Sequence, residues 1–142
     1  HMIGKLQTNK VKFAVKLFDY IHSVDSVKLA KKIAQEQAKL DKKIKIFLQV
    51  NIGNENQKSG INKNELNILV SYCKEINLDL VGLMCIPPAN IDPQTYFKDM
   101  KELNKIYNFE ELSMGMSSDY LKAAENSSTY LRIGSSIFGS RD

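Results

Sequence analysis

The sequence predicts an α/β fold of parallel strands covered by helices, of the (β/α) barrel kind. Three observations carry this. Apolar residues at helical spacing alternate along the chain with short runs rich in Ile, Val, Leu and Phe. Those runs read as buried rather than as alternating strands, which argues for a parallel sheet covered by helices. No glycine-rich dinucleotide turn is present, and polar residues collect just after the strand ends. A doubly wound sheet also fits the first two observations, and the third turns the choice toward the barrel.

Val11, Ala14, Val15 and Phe18 recur at helical spacing, and Tyr20 to Val24 follows as a short extended stretch. Ala30, Ile33, Ala34 and Ala38 mark a second helix, and Ile44 to Ile52 reads as a buried strand. Asn62 with Glu65 three residues on has the form of a capping box, opening a helix with Leu66, Leu69, Val70 and Cys73 on one face. Leu78 to Ile86 is the next strand, stopped by Pro87-Pro88. Asp92 as N-cap and Pro93 at the first helical position start a helix whose apolar side is Phe97, Met100 and Leu103. Glu111 to Met114 is a short strand, Ser117-Ser118-Asp119 a helix start with Leu121 and Ala124 on its buried side, and Tyr130 to Phe138 the last strand. With no low-complexity stretch and no Gly/Ser linker, residues 1–142 read as one continuous unit.

Composition narrows the function. The 142 residues are 43% hydrophobic and 25% charged, which excludes a disordered, collagenous or coiled-coil chain. The net charge of +4 is carried by lysines scattered singly or in pairs, such as Lys31-Lys32 and Lys42-Lys43. Lysines so dispersed do not form the blocks that neutralise a run of phosphates, so no nucleic-acid partner is expected. Cys73 and Cys85 lie in apolar stretches without CxxC spacing, and a buried, reduced pair is expected rather than a disulfide or zinc site. No apolar run approaches the roughly 18 residues of a membrane span, and the expectation is a soluble cytoplasmic protein.

The most informative segment is the last. Ser113-Met114-Gly115-Met116-Ser117 follows one strand, and Arg132-Ile133-Gly134-Ser135-Ser136 lies on and after the next. In barrels the loops after the last two strands commonly build a phosphate site from backbone amides. Ser117 and Ser135 offer hydroxyl donors, and Gly134 lets amides approach an oxygen with no Cβ in the way. The same residues also suit ordinary turns and N-caps, and composition alone leaves both open. Alternation puts Tyr130, Arg132 and Gly134 on one strand face and Leu131 and Ile133 on the other. If the aliphatic pair faces the helices, Arg132 points into the barrel mouth, where a guanidinium needs either a structural carboxylate or a ligand.

Several stretches together resemble one family: His1-Met2-Ile3-Gly4-Lys5-Leu6-Gln7-Thr8-Asn9-Lys10, Ile21-His22-Ser23-Val24-Asp25, Gln49-Val50-Asn51-Ile52-Gly53 with Lys58-Ser59-Gly60, Gly82-Leu83-Met84, Leu112 to Ser117, and Arg132 to Gly139 followed by Arg141. The combination is similar to the pyridoxal 5'-phosphate (PLP) homeostasis proteins, which have the barrel of alanine racemase. The resemblance implies that Ser117, Gly134 and Ser135 hold the phosphate of PLP, that Arg132 faces the pyridine nitrogen, and that Met84 lies near the cofactor. The family often has Thr where Ser135 stands, which keeps the hydroxyl. A guanidinium cannot accept a proton, so a ring nitrogen against it stays unprotonated and the ring is a poor electron sink, which suits a carrier better than a transaminase. His1 fits both the family's His before the Ile-Gly and a His-Met cloning scar. His22, Lys58 and Asn51 belong to the matching pattern, and each also suits a structural, solvated or turn role.

A full barrel takes about 250 residues. The motifs align this chain with strands 3 to 8, so the first two βα units are expected to be missing, and with the first strand the lysine that forms the family's Schiff base with PLP. None of the lysines present matches that motif. The implied function is non-catalytic binding and buffering of PLP, weakened by the missing lysine. The alternatives are a fragment of a PLP-dependent racemase, or a module for another phosphate compound. Unpaired sheet edges predict an oligomer or a complementing fragment as partner.

Overall fold

The structure, a computed structural model, describes residues 1–55 and 57–139. Arg141, part of the matching pattern, lies outside the described residues. Helix α1 (Val11–Leu17) leads into β1 (Tyr20–Val24), and the alternation continues through α2 (Val27–Leu40), β2 (Lys45–Val50), α3 (Leu66–Glu75), β3 (Asp79–Cys85), α4 (Gln94–Ile106), β4 (Glu111–Met116), α5 (Tyr120–Glu125), β5 (Tyr130–Arg132) and α6 (Ser135–Phe138). The strands pair in the order β1-β2-β3-β4-β5, and every pairing is parallel. A doubly wound sheet reverses its strand order at a switch point, so this unreversed order belongs to a curled half-barrel. The opening strand is reduced to one parallel bridge, in which the Met2 N–H donates to the Tyr20 carbonyl at 2.9 Å and the His22 N–H to the Met2 carbonyl at 2.8 Å.

The sheet has two unlike faces. Ile21, Ile46, Leu48, Leu83, Leu112 and Met114 join the main core with α1 to α5 residues such as Val15, Ile33, Leu69 and Phe97. Register places Phe47 beside Gly82, Gln49 beside Met84, Met84 beside Ser113, and Ser113 beside Tyr130. Alternation therefore lines the concave face with aromatic and polar side chains. Here the His22 ring stacks on Phe47 at 4.2 Å between centroids, and Tyr130 meets both rings edge-on.

Local chemistry explains most element boundaries. Ser26 caps α2, its hydroxyl accepting from the Leu29 N–H at 3.3 Å, and Asp41 in the left-handed region ends it. Ala30 and Ile33 are buried as expected and Ala34 partly so, but Ala38 is exposed, while Leu29 and Glu36 are buried instead, Glu36 held by Lys32 and Lys39 at 2.7 and 2.9 Å. The Asn62 capping box does not form. Its carbonyl, not its side chain, takes the Glu65 N–H in a short 3₁₀ turn, after which α3 buries the four predicted residues. At α4 the N-cap is Pro93 rather than Asp92, which stands one residue earlier with its carboxylate accepting from the Gln94 N–H at 3.2 Å.

Two further expectations are corrected. Leu121 is 64% exposed and Ala124 is exposed, while Ala123 is buried. The six-residue α5 is set by Gly115, whose φ of +92° and lack of a side chain let Ala123 close against β4. The last strand ends at Arg132 rather than Phe138, because the chain turns at Gly134 into α6 and leaves Ile137 and Phe138 67% and 86% exposed. Cys73 and Cys85 are free and buried, and burial pushes both thiols up to about 12, so neither is a ready nucleophile. Among the described residues no helix is long and apolar enough to cross a membrane.

Candidate functional site

The loops after β4 and β5 meet at one hydroxyl. Ser117 Oγ accepts from the Gly134 N–H at 3.1 Å and from the Ser136 N–H at 3.3 Å, and the Ser136 hydroxyl donates back to the Ser117 carbonyl at 3.4 Å. Amides from one strand end thus converge on an oxygen supplied by the other. Ser117, Arg132, Gly134 and Ser135 line a single cavity of about 570 Å³, together with Met116, Ser118, Phe138 and Gly139. No atom lies within 4 Å of the position a Cβ would take on Gly134. The space in front of this residue is therefore open to a ligand, and a side chain there would fill it.

Arg132 projects to the concave face, as strand alternation predicts. Its Nη1 donates to Ser113 Oγ at 2.9 Å and its Nη2 to the Cys85 carbonyl at 2.8 Å. The structural carboxylate is not found: among the described residues no carboxylate forms an ion pair with Arg132. Burial pulls its pKa below the usual arginine value without threatening its charge. A guanidinium carries five N–H groups, and the bonds to Ser113 and Cys85 leave others to meet an incoming acceptor.

Met84 is fully buried on the concave face, beside Gln49 and Ser113 in register, and does not line the cavity at Ser117. Lys58 lies farther along the rim. Its Nζ contacts Glu55 Oε2 at 2.6 Å and donates to the Pro87 carbonyl at 3.1 Å, and it borders a separate space of about 240 Å³ with Ile3, Gly4 and Gln49. Asn51 is a loop organiser, exchanging hydrogen bonds with Glu55 at 2.8 and 3.1 Å. His22 is 2% exposed, and burial followed by the Arg132 charge brings its pKa down to about 4, so the ring is neutral.

The whole chain, residues 1–142, matches the family model of the alanine racemase N-terminal domain. The pyridoxal phosphate homeostasis protein of Synechocystis is 36% identical over 151 residues, which cover 99% of this chain and 69% of that protein. The chain belongs to the pyridoxal phosphate homeostasis protein family. The member from Aquifex aeolicus is 38% identical over 151 residues, covering 99% of this chain and 66% of its own length. PipY of Synechococcus elongatus, solved with PLP bound, superposes with a TM-score of 0.88 at 32% identity, covering 96% of this chain and 68% of PipY. This homeostasis-family chain spans about two thirds of the length of the curated relatives it matches.

Sequence reasoning missed two groups that hold the site of this family member together. Ser113 was part of a matching stretch but carried no role, because its partners His22 and Arg132 are 91 and 19 residues away. The Cys85 carbonyl is a backbone group with no side-chain signal. Register arithmetic alone brings Ser113 toward Arg132, since both occupy the concave face of adjacent strands.

Proposed function

We propose that this chain binds pyridoxal 5'-phosphate reversibly, as a non-catalytic carrier, with the phosphate against Ser117, Gly134 and Ser135 and the ring toward Arg132 and Met84. The observation that carries this is the convergence of the Gly134 and Ser136 amides on Ser117, beside an arginine without a carboxylate, in one cavity. Individual amides supply the anion contacts, because α6 is only four residues long and has little macrodipole. The residues fit the cofactor: the phosphate needs donors, the open face of Gly134 gives it room, and Arg132 can donate to a ring nitrogen but cannot protonate it. When bound, PLP supplies a reactive aldehyde and an electron-withdrawing ring, and the withdrawal is weak while the ring nitrogen is unprotonated. The bound structure of PipY supports the same ligand for this relative.

On this reading residues 1–142 form a single partial barrel domain, its strands corresponding to the third through eighth of the complete barrel. The lysine of the family's first strand has no counterpart among those present, so affinity comes from the phosphate and ring contacts. The test is a PLP titration followed by absorbance, with borohydride reduction and peptide mapping at equimolar PLP. Wild type is expected to bind saturably without one stoichiometrically modified lysine, and Gly134→Val to remain folded while losing roughly tenfold or more in affinity. Unchanged affinity in Gly134→Val, or full modification of one lysine such as Lys58, overturns the proposal.

A further inference from the structure

A chain of hydrogen bonds runs along the concave face from Arg132 to His1, and its donor directions are fixed. Ser113 Oγ lies 2.9 Å from Arg132 Nη1 and 2.9 Å from His22 Nδ1. The guanidinium can only donate, so at that contact the serine oxygen accepts. Its single proton then has one partner within reach, His22 Nδ1, which must present a lone pair. A neutral imidazole with Nδ1 unprotonated carries its proton on Nε2, and Nε2 lies 3.0 Å from His1 Nδ1. The opposite tautomer would make Ser113 accept from both sides and leave its own proton, on a fully buried hydroxyl, without an acceptor.

The His22 ring has no freedom to avoid this choice. It is packed against Phe47 at 4.2 Å and edged by Tyr130. Both outer ends of the Arg132 guanidinium are held, by Ser113 and by the Cys85 carbonyl, and the carbonyl end is rigid because it belongs to β3. The hydroxyl end is the adjustable one. A serine rotor free to turn would point its proton at Arg132 part of the time and push the guanidinium away.

We propose that His22 is a positioning residue: through Ser113 it fixes the plane of the Arg132 guanidinium, so that the remaining N–H groups are presented to the ring nitrogen of the ligand. Recognition of that ring, as distinct from its phosphate, thus depends on an imidazole that does not touch the ligand. The ligand part of this inference rests on the PLP reading above, while the hydrogen-bond directions do not.

Two measurements separate them. The first needs no ligand: nitrogen-15 NMR of the full chain is expected to show His22 protonated on Nε2 and not on Nδ1, and separate, slowly exchanging Nη signals for Arg132. His22→Leu and Ser113→Ala should merge those arginine signals, whereas His22→Asn, whose amide oxygen can stand where Nδ1 was, should keep them apart. The second compares PLP with benzyl phosphate, which has the phosphate but no ring nitrogen. His22→Leu should weaken PLP by roughly tenfold and benzyl phosphate little, with most of the loss recovered in His22→Asn. Should His22→Leu fail to fold, Ser113→Ala carries the same comparison. A proton on Nδ1, or arginine signals indifferent to every variant, overturns the inference. Equal weakening of both ligands also overturns it, since that marks a merely structural role. If wild type binds no PLP at all, the functional reading fails while the arginine and tautomer signals still decide the positioning role.

Discussion

Acid should destabilise this protein in part through His22. His22 is neutral in the folded state because burial, and next the charge of Arg132, lower its pKa from 6.5 to about 4. The unfolded chain therefore binds more protons than the folded one between those two values, and stability falls as pH falls through that window. Above pH 6.5 neither state is protonated at this position and the full stability is present. Each pH unit between the two values costs 1.36 kcal/mol, so His22 alone removes about 3 kcal/mol on going from pH 6.5 to pH 4. Glu36, whose pKa is lowered by Lys32 and Lys39, and Asp92, lowered by Lys122, also weaken the fold in acid, so the informative quantity is a difference between variants. His22→Asn keeps an acceptor for Ser113 and does not titrate. Urea unfolding of wild type and His22→Asn at pH 7 and pH 4 should show the variant losing about 3 kcal/mol less than wild type over that range. Arg132, whose charge adds to the shift, is present in both proteins. Equal losses in the two proteins would refute the assignment of a buried neutral imidazole.

Packing and assembly give two more expectations. A Cβ on Gly82 would collide with the Glu111 carbonyl of the paired strand, a backbone atom that cannot swing aside; Gly82→Ala should destabilise by about 3 kcal/mol or more in the same urea assay, and a loss below about 1 kcal/mol would mean that β3 and β4 do not approach as closely as described. Among the described residues β5 and the Met2 bridge are the unpaired edges of the sheet, with Ile137 and Phe138 exposed nearby, and sedimentation should find dimers, higher oligomers or capture of a complementing fragment. A monodisperse, cooperatively melting monomer would contradict that.

The strands were the most legible part of the fold, because short runs rich in Ile, Val, Leu and Phe mark buried strands, as in Ile44 to Ile52. Where the same composition continued past the true end, the sequence misled: Ile133, Ile137 and Phe138 prolong the apolar run after Arg132, but Gly134 breaks it and a short helix follows. Helix faces were legible where helices are long, as in α3, and failed in α5, where six residues give too little periodicity and the contact between Gly115 and Ala123 decides the register. The capping box at Asn62 failed for a different reason: the motif describes what a side chain can do, and a 3₁₀ turn satisfied the Glu65 amide with the backbone first. At the candidate site, Ser117, Gly134 and Arg132 stood out by residue type, and the structure brings all three to one cavity. Ser113 and His22 were not paired in advance, since only the curl of the sheet brings residues 91 apart within 2.9 Å.

The central claim is that the phosphate of PLP is held where the β4 and β5 loops meet. Titrating nitrogen-15-labelled protein with PLP and following the backbone amides tests it most directly. The Gly134, Ser135 and Ser136 amides are expected to move together and saturably, because an anion oxygen competes with Ser117 Oγ for the Gly134 and Ser136 N–H groups. Shifts confined instead to other surfaces, such as the lysine-lined groove of Lys28, Lys31 and Lys32, or none at saturating PLP, would contradict the account.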